Sequence, residues 1–222
     1  AFALALFSLA LILTGTTSMT WAQEINTTFG LGPRIYLVLF LIGLVVMYFF
    51  STTYVTASAA VTLFGLSALY GAVTGVPYFV DSEIPTAVFL GLHLLVTDPS
   101  TSPRTPLGRV IFGVAYGVGV FGLYALLGVL GVPTFYDKLL CVPLLNLLAP
   151  SIDRLVTRLG ERPIVALLGL EPPLGRRNLV HMAAWIVFFA VMTAAGRTDG
   201  MHRGDALPFW IEACRADRPQ AC

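Results

Sequence analysis

Thr97-Asp98-Pro99-Ser100-Thr101-Ser102-Pro103-Arg104-Thr105-Pro106-Leu107-Gly108-Arg109 is a polar, proline-punctuated break between two apolar segments. Thr86 to Val96 precedes it and Val110 to Leu130 follows, neither carrying a charged residue. Pro99, Pro103 and Pro106 exclude a regular helix across the break, because each removes an N–H and restricts the residue before it. Asp98 before Pro99 suits an N-cap with proline at the first helical position. Ser100, Thr101 and Ser102 supply short hydroxyls for the freed backbone groups. At membrane depth such backbone persists only where protein or a water-filled cavity covers it. The rest of the chain is organised around this break.

Of the 222 residues, 57% are hydrophobic and 11% are charged, and the mean hydropathy is +0.83. A soluble domain carries about 25% charged residues. The composition therefore predicts an all-α, polytopic integral membrane protein in contact with a lipid bilayer. A net charge of +1 offers nothing to nucleic acid. At about 20 residues per span, the charge-free stretch between Arg34 and Asp81 holds two helices, near Ile35–Phe50 and Val55–Val73. Thr86 to Val96 is short and is expected to stop at the break. Val110 to Leu130 is a full span, and Leu139 to Leu148 runs on toward Asn146, Pro150 and Asp153. From Ser151 the chain changes character: Ile152, Leu155, Val156 and Leu159 recur at helical spacing, with Asp153, Arg154, Arg158 and Arg162 opposite. That pattern predicts a separate amphipathic helix at the interface. Asn178 to Gly196 is the last span.

The first run, Ala1 to Leu13, reads either as a signal-peptide core or as part of a transmembrane helix, with the helix preferred for want of a basic flank. Since the chain opens on Ala1 inside an apolar run, earlier helices are expected upstream. The whole reads as six or seven spans over residues 1–196, followed by an extramembrane tail over 197–222. Arg104, Arg109, Arg154, Arg158, Arg162, Arg176 and Arg177 mark the cytoplasmic side. The acidic loop at 75–85 and the tail then fall outside, in the periplasm of a bacterial inner-membrane protein.

Single residues carry two readings each. Asp98 either shapes a cofactor or ion site at membrane depth or only caps the end of a span. Asn146 and Asp153 either hold Ser100–Pro103 in place from a neighbouring helix or, for Asn146, make an ordinary interhelical hydrogen bond. Gly113, Gly117, Gly119 and Gly122 form a small-residue face for close helix packing. Cys141 reads as a small core residue. His93, His181 and His202 lack ligand spacing, so no metal is expected. Tyr48, Phe49, Phe50 and Tyr54 suit an aromatic belt, and Asn26-Thr27-Thr28 matches a glycosylation acceptor. No Walker loop, no GxGxxG after a strand, no nucleophile elbow and no CxxC occurs, and no residue is assigned a catalytic role.

The string Thr-Asp-Pro-x-Thr-Ser-Pro, then Gly108-Arg109, Phe112-Gly113 and Leu145-Asn146-x-x-Ala149-Pro150-x-x-Asp153, resembles one family. It is the membrane subunit shared by the sodium-pumping NADH:quinone oxidoreductase (its B subunit) and the Rnf electron-transport complex (its D subunit). The likeness runs from about Thr86 to Arg154. It implies an inverted-repeat helix bundle that carries flavin and passes electrons to partner subunits. Thr97, Asp98, Ser100, Thr101, Ser102 and Asn146 become the implied cofactor-binding residues. Pro99, Pro103, Gly108, Arg109, Gly113, Pro150 and Asp153 form the implied frame. In the family a flavin mononucleotide is attached to threonine in a Ser/Thr-Gly-Ala-Thr motif, which Thr14-Gly15-Thr16-Thr17 and Thr74-Gly75-Val76 do not match. The expectation is therefore a non-covalent flavin, either FMN or riboflavin. Alternatives are a membrane scaffold that kept the fold and lost the flavin, and a small-solute or ion pathway. The tail departs from this family. Cys214 and Cys222, with seven residues between them, resemble the start of a Sel1-like repeat. That likeness implies a disulfide in an oxidising compartment and a module that docks a periplasmic partner; the alternative is two unpaired thiols.

Overall fold

A computed structural model describes residues 34–49, 53–79, 102–131, 136–159, 177–195, 204 and 206–221. Among them all regular structure is helical: α1 Arg34–Phe49, α2 Thr53–Thr74, α3 Pro106–Val129, α4 Tyr136–Leu159, α5 Arg177–Ala194, α6 Leu207–Arg215 and a 3-10 turn, Pro219–Ala221. The stretches 53–74, 106–129 and 140–158 are each long and apolar enough to cross a membrane, while 37–49 and 182–194 are shorter apolar helices. The chain is thus a helical integral membrane protein with three such spans among the described residues. The initial run, the segment 80–101 and residues 160–176 lie outside the described residues, as do Asn26, His93 and His202.

The tightest packing joins α2 to α3. Lipid is as apolar as a helix surface, so helices associate in a bilayer through close contact, not through escape from water. Gly113 permits that contact, since a Cβ there would collide with the Ser58 hydroxyl and the Val55 carbonyl. A Cβ on Gly117 would stand 2.8 Å from Thr62 Cβ and 3.1 Å from the Ala59 carbonyl. Rising numbers on α3 meet rising numbers on α2, so the two helices run parallel. The hydroxyls of Ser58 and Thr62 bond back to carbonyls of their own helix, at Tyr54 (2.5 Å) and Ser58 (2.8 Å). They leave no polar demand on the interface. Gly122, from the same expected face, has open space around it.

Antiparallel to α3 runs α4, with Cys141 beside Gly119 and the Tyr116 carbonyl and Asp153 beside Thr105. Its buried stripe is Cys141, Val142, Leu145, Ala149 and Val156, with Ile152 packed against the core. The helix passes through Pro143 and Pro150 without ending. This corrects the expectation of a separate interfacial helix from Ser151: residues 151–159 are the last turns of the span. Each proline costs one hydrogen bond to the residue four before it. Val156 and Ile152 repay that by continuing the stripe that Leu145 and Ala149 begin. On the other flank α5 packs on α1 through the Phe40–Phe189 stack at 4.2 Å, and reaches α2 through Phe64 and Phe188. Trp185 of α5 is buried in the core and stacks on Phe188. The outer faces stay apolar and exposed at Val61, Leu69, Val118, Leu126 and Leu147, as a lipid-facing surface requires. Tyr48 and Phe49 are exposed at the end of α1.

Candidate binding cleft at the broken end of the bundle

Backbone geometry builds the site first. Thr105 is the N-cap of α3, with φ −80° and ψ 141°, and its hydroxyl oxygen accepts from Gly108 N at 3.1 Å. Pro106 follows at the first helical position, where its missing N–H costs nothing. The helix therefore starts at Pro106, four residues before the charge-free run that predicted it.

Asp153, projecting from the last turns of α4, completes the cap. Its carboxylate accepts from Arg104 N at 3.0 and 3.2 Å, from Thr105 N at 3.3 Å and from the Thr105 hydroxyl at 2.9 Å. Thr105 thus donates to Asp153 and accepts from Gly108 through one oxygen. Gly108 has to be small here, since a Cβ would stand 3.0 Å from both Asp153 Oδ1 and Pro103 Cβ. Arg109 turns back and donates from Nε to the Pro103 carbonyl at 3.0 Å, which ties the break from its other side.

Between this pinned loop and α4 lies an open cleft of about 570 Å³. Ser102, Arg104 and Thr105 form one wall; Asn146, Ala149, Pro150, Asp153, Arg154 and Thr157 form the other. Because Pro150 has no N–H, the Asn146 carbonyl one turn earlier receives no helical hydrogen bond from it. Thr157 donates its hydroxyl to the Asp153 carbonyl at 2.7 Å. The Asp153 carboxylate is occupied by backbone and hydroxyl donors of the break. Among the described residues, the exposed guanidiniums of Arg104 and Arg154 have neither ion-pair nor hydrogen-bond partners. An anion entering here would meet two uncommitted positive forks.

Of the residues singled out in the sequence, Ser102, Asn146, Pro150 and Asp153 meet in the cleft, with Pro103, Gly108 and Arg109 framing the break behind it. Gly113 sits deeper, in the α2–α3 contact. Thr97, Asp98, Pro99, Ser100 and Thr101 lie outside the described residues. Cys214 is disulfide-bonded and Cys141 is a free, buried thiol; Cys222, the expected partner of Cys214, lies outside the described residues. In the sequence Arg104 and Arg154 mark orientation alone, and Thr105 and Thr157 carry no role of their own. Thr105-Pro106 repeats the cap-then-proline pattern seen at Asp98-Pro99, and that pattern was the available signal. No family model, no curated protein and no solved structure matches the chain.

Proposed function

We propose that the chain is a membrane subunit of an electron-transport complex whose cleft at the broken end holds a flavin without a covalent bond. One observation carries the reading. The described part of the first block that bears the family resemblance, 102–109, and the second block, 145–153, meet in space, with Asp153 of the second holding Arg104 and Thr105 of the first. The cleft between them suits the size of small-ligand sites, roughly 300–1,000 Å³. Its chemistry suits a flavin nucleotide too: Ala149 and Pro150 offer apolar surface, Ser102 and Asn146 offer hydrogen-bonding groups, and Arg104 and Arg154 offer positive charge to a phosphate. A bound flavin supplies the redox chemistry, taking up and passing on electrons. The chain's own residues bind and orient it at the bundle end, and other membrane subunits receive the electrons.

The same geometry supports an orientation. Arg104, Arg109, Arg154 and Arg158 gather at the broken end, which becomes the cytoplasmic face of a bacterial inner membrane. The tail with its disulfide-bonded Cys214 lies at the opposite end, in the oxidising periplasm.

The test is a flavin assay on the intact protein purified from membranes, with visible absorption followed by fluorescence before and after denaturation. The expected result is a yellow protein that releases its flavin on denaturation. Arg104→Gln with Arg154→Gln is expected to weaken rebinding of FMN by about tenfold or more. A colourless protein that also fails to bind added FMN would favour the scaffold reading. Fluorescence that stays with the denatured chain would mean a covalent attachment.

A further inference from the structure

We propose that the C-terminal tail lies on the membrane surface as a clasp, with Leu207 and Ile211 of α6 in the lipid interface and Arg218 locked onto the end of α2. The proposal does not depend on the flavin reading. The helix α2 has 22 residues, about 33 Å at 1.5 Å per residue. That covers a hydrocarbon core of about 30 Å, so Gly75, the next residue, sits at headgroup level.

The tail is fastened at that height. The Arg218 guanidinium donates to the Gly75 carbonyl. Gly75 has φ +72° and closes α2 through Gly75 N to the Gly71 carbonyl at 2.8 Å. A Cβ on Gly75 would fall on the Arg218 guanidinium, so glycine is required there both by its backbone and by the docked tail.

The tail is also compact. Asp217, at φ +53°, reverses the chain after α6, and Arg218 N bonds the Ala213 carbonyl at 3.2 Å. Trp210 Nε1 donates to the Gly204 carbonyl at 2.7 Å, and Ala213 is buried. With one end of this unit held at Gly75, the short α6 cannot stand far above the membrane boundary.

Leu207 and Ile211, 70% and 45% exposed, are four residues apart and so share one face of α6. Glu212 occupies a different arc, and Arg215, four residues after Ile211, ends the same face, where its guanidinium can reach up to lipid phosphates. Exposed Val73, Val129 and Leu130, the lipid-facing ends of two spans, belong to the same end of the bundle as Gly75, where Arg218 holds the tail. An amphipathic helix at that depth buries its apolar face among the headgroups and first acyl carbons, and the Trp210 ring suits the same layer. The occupant of this face is therefore the chain's own membrane.

The test uses the intact protein in lipid nanodiscs whose phosphatidylcholine carries bromine high in the acyl chains, which quenches nearby tryptophan. The Trp210 component is the part of the emission lost in Trp210→Phe. It is expected to be quenched by the brominated lipid, and Leu207→Ser with Ile211→Ser is expected to cut that quenching by about half or more. A Trp210 component quenched by aqueous iodide and untouched by brominated lipid overturns the proposal and gives the face to a protein partner or a second copy. Where a variant does not fold, the wild-type chain is photolabelled with a lipid bearing a diazirine in its acyl chain and digested with trypsin. Label on the peptide from Gly204 to Arg215 supports the proposal. Labelled spans with that peptide unlabelled overturn it.

Discussion

At the end of the bundle where α3 begins, one carboxylate does the joining: Asp153 gathers Arg104 and Thr105 and leaves a polar cleft beside them. At the opposite end rings do it. Tyr78 stacks on Phe121 at 3.7 Å, meets Tyr70 and Tyr124 at 4.9 and 5.3 Å, and donates its hydroxyl to the Phe121 carbonyl at 2.5 Å. Arg218 then ties the tail to Gly75 beside it. The first end is held by a few directional bonds around open space, and the second by stacked and edge-on aromatic rings. A site can exist at the first end because a hydrogen-bonded loop keeps its shape without being filled, whereas an aromatic cluster keeps its shape by being filled.

The contrast can be broken most severely through the contact both ends depend on. Gly113→Val puts a branched side chain into the Ser58 hydroxyl and the Val55 carbonyl. It is expected to cost about 3 kcal/mol, read as lost thermal stability in detergent and loss of both the cleft and the tail contact. An unchanged melting curve would mean that α2 and α3 do not need their close approach.

Next in size is Asp153→Ala, which strips the acceptor from two backbone N–H groups and one hydroxyl. A loss of about 2 kcal/mol is expected, with faster hydrogen exchange at Arg104 and Thr105 and little change at Gly75. Asp153→Asn keeps one acceptor oxygen and should lose about half as much. Equal exchange changes at both ends would show that the ends are not independent.

A smaller effect tests the other end. Gly75→Ala strains a left-handed backbone and pushes on Arg218, with an expected cost of about 1 kcal/mol. The tail should become accessible to trypsin while the cleft stays intact.

The smallest effect is a pH response confined to the aromatic end. Burial, with Tyr124 adding to it, pushes the Tyr78 hydroxyl up to about 12 from an ordinary 10.0. Because the folded state favours the neutral phenol, its contribution is fully present below pH 10 and is lost as pH rises toward 12. Stability is expected to fall over that window, and Tyr78→Phe should remove that part of the fall.

Composition and periodicity determined the membrane class, the helical class and the approximate positions of α1, α2 and α3. Long apolar runs allow no other solution in lipid, where every backbone group must be satisfied within the segment. The start of α3 was legible within a few residues, since the proline-rich break ends where Pro106 takes the first helical position. The glycines of α3 announced close packing, but not that Gly113 and Gly117 would meet α2 while Gly122 would meet open space. That depends on the rotation of one helix against another, which no local pattern encodes. The course of α4 through Pro150 was likewise decided by packing: a proline costs one hydrogen bond, and a continuous buried stripe from Leu145 to Val156 outweighs it. The cleft itself is wholly tertiary. Asp153 and Thr105 are 48 residues apart, and only the antiparallel course of α3 and α4 brings a carboxylate to the donors it holds. The tail contact of Arg218 with Gly75, across 143 residues, was decided the same way, by a carbonyl left at the end of one helix and a guanidinium that the fold delivers to it.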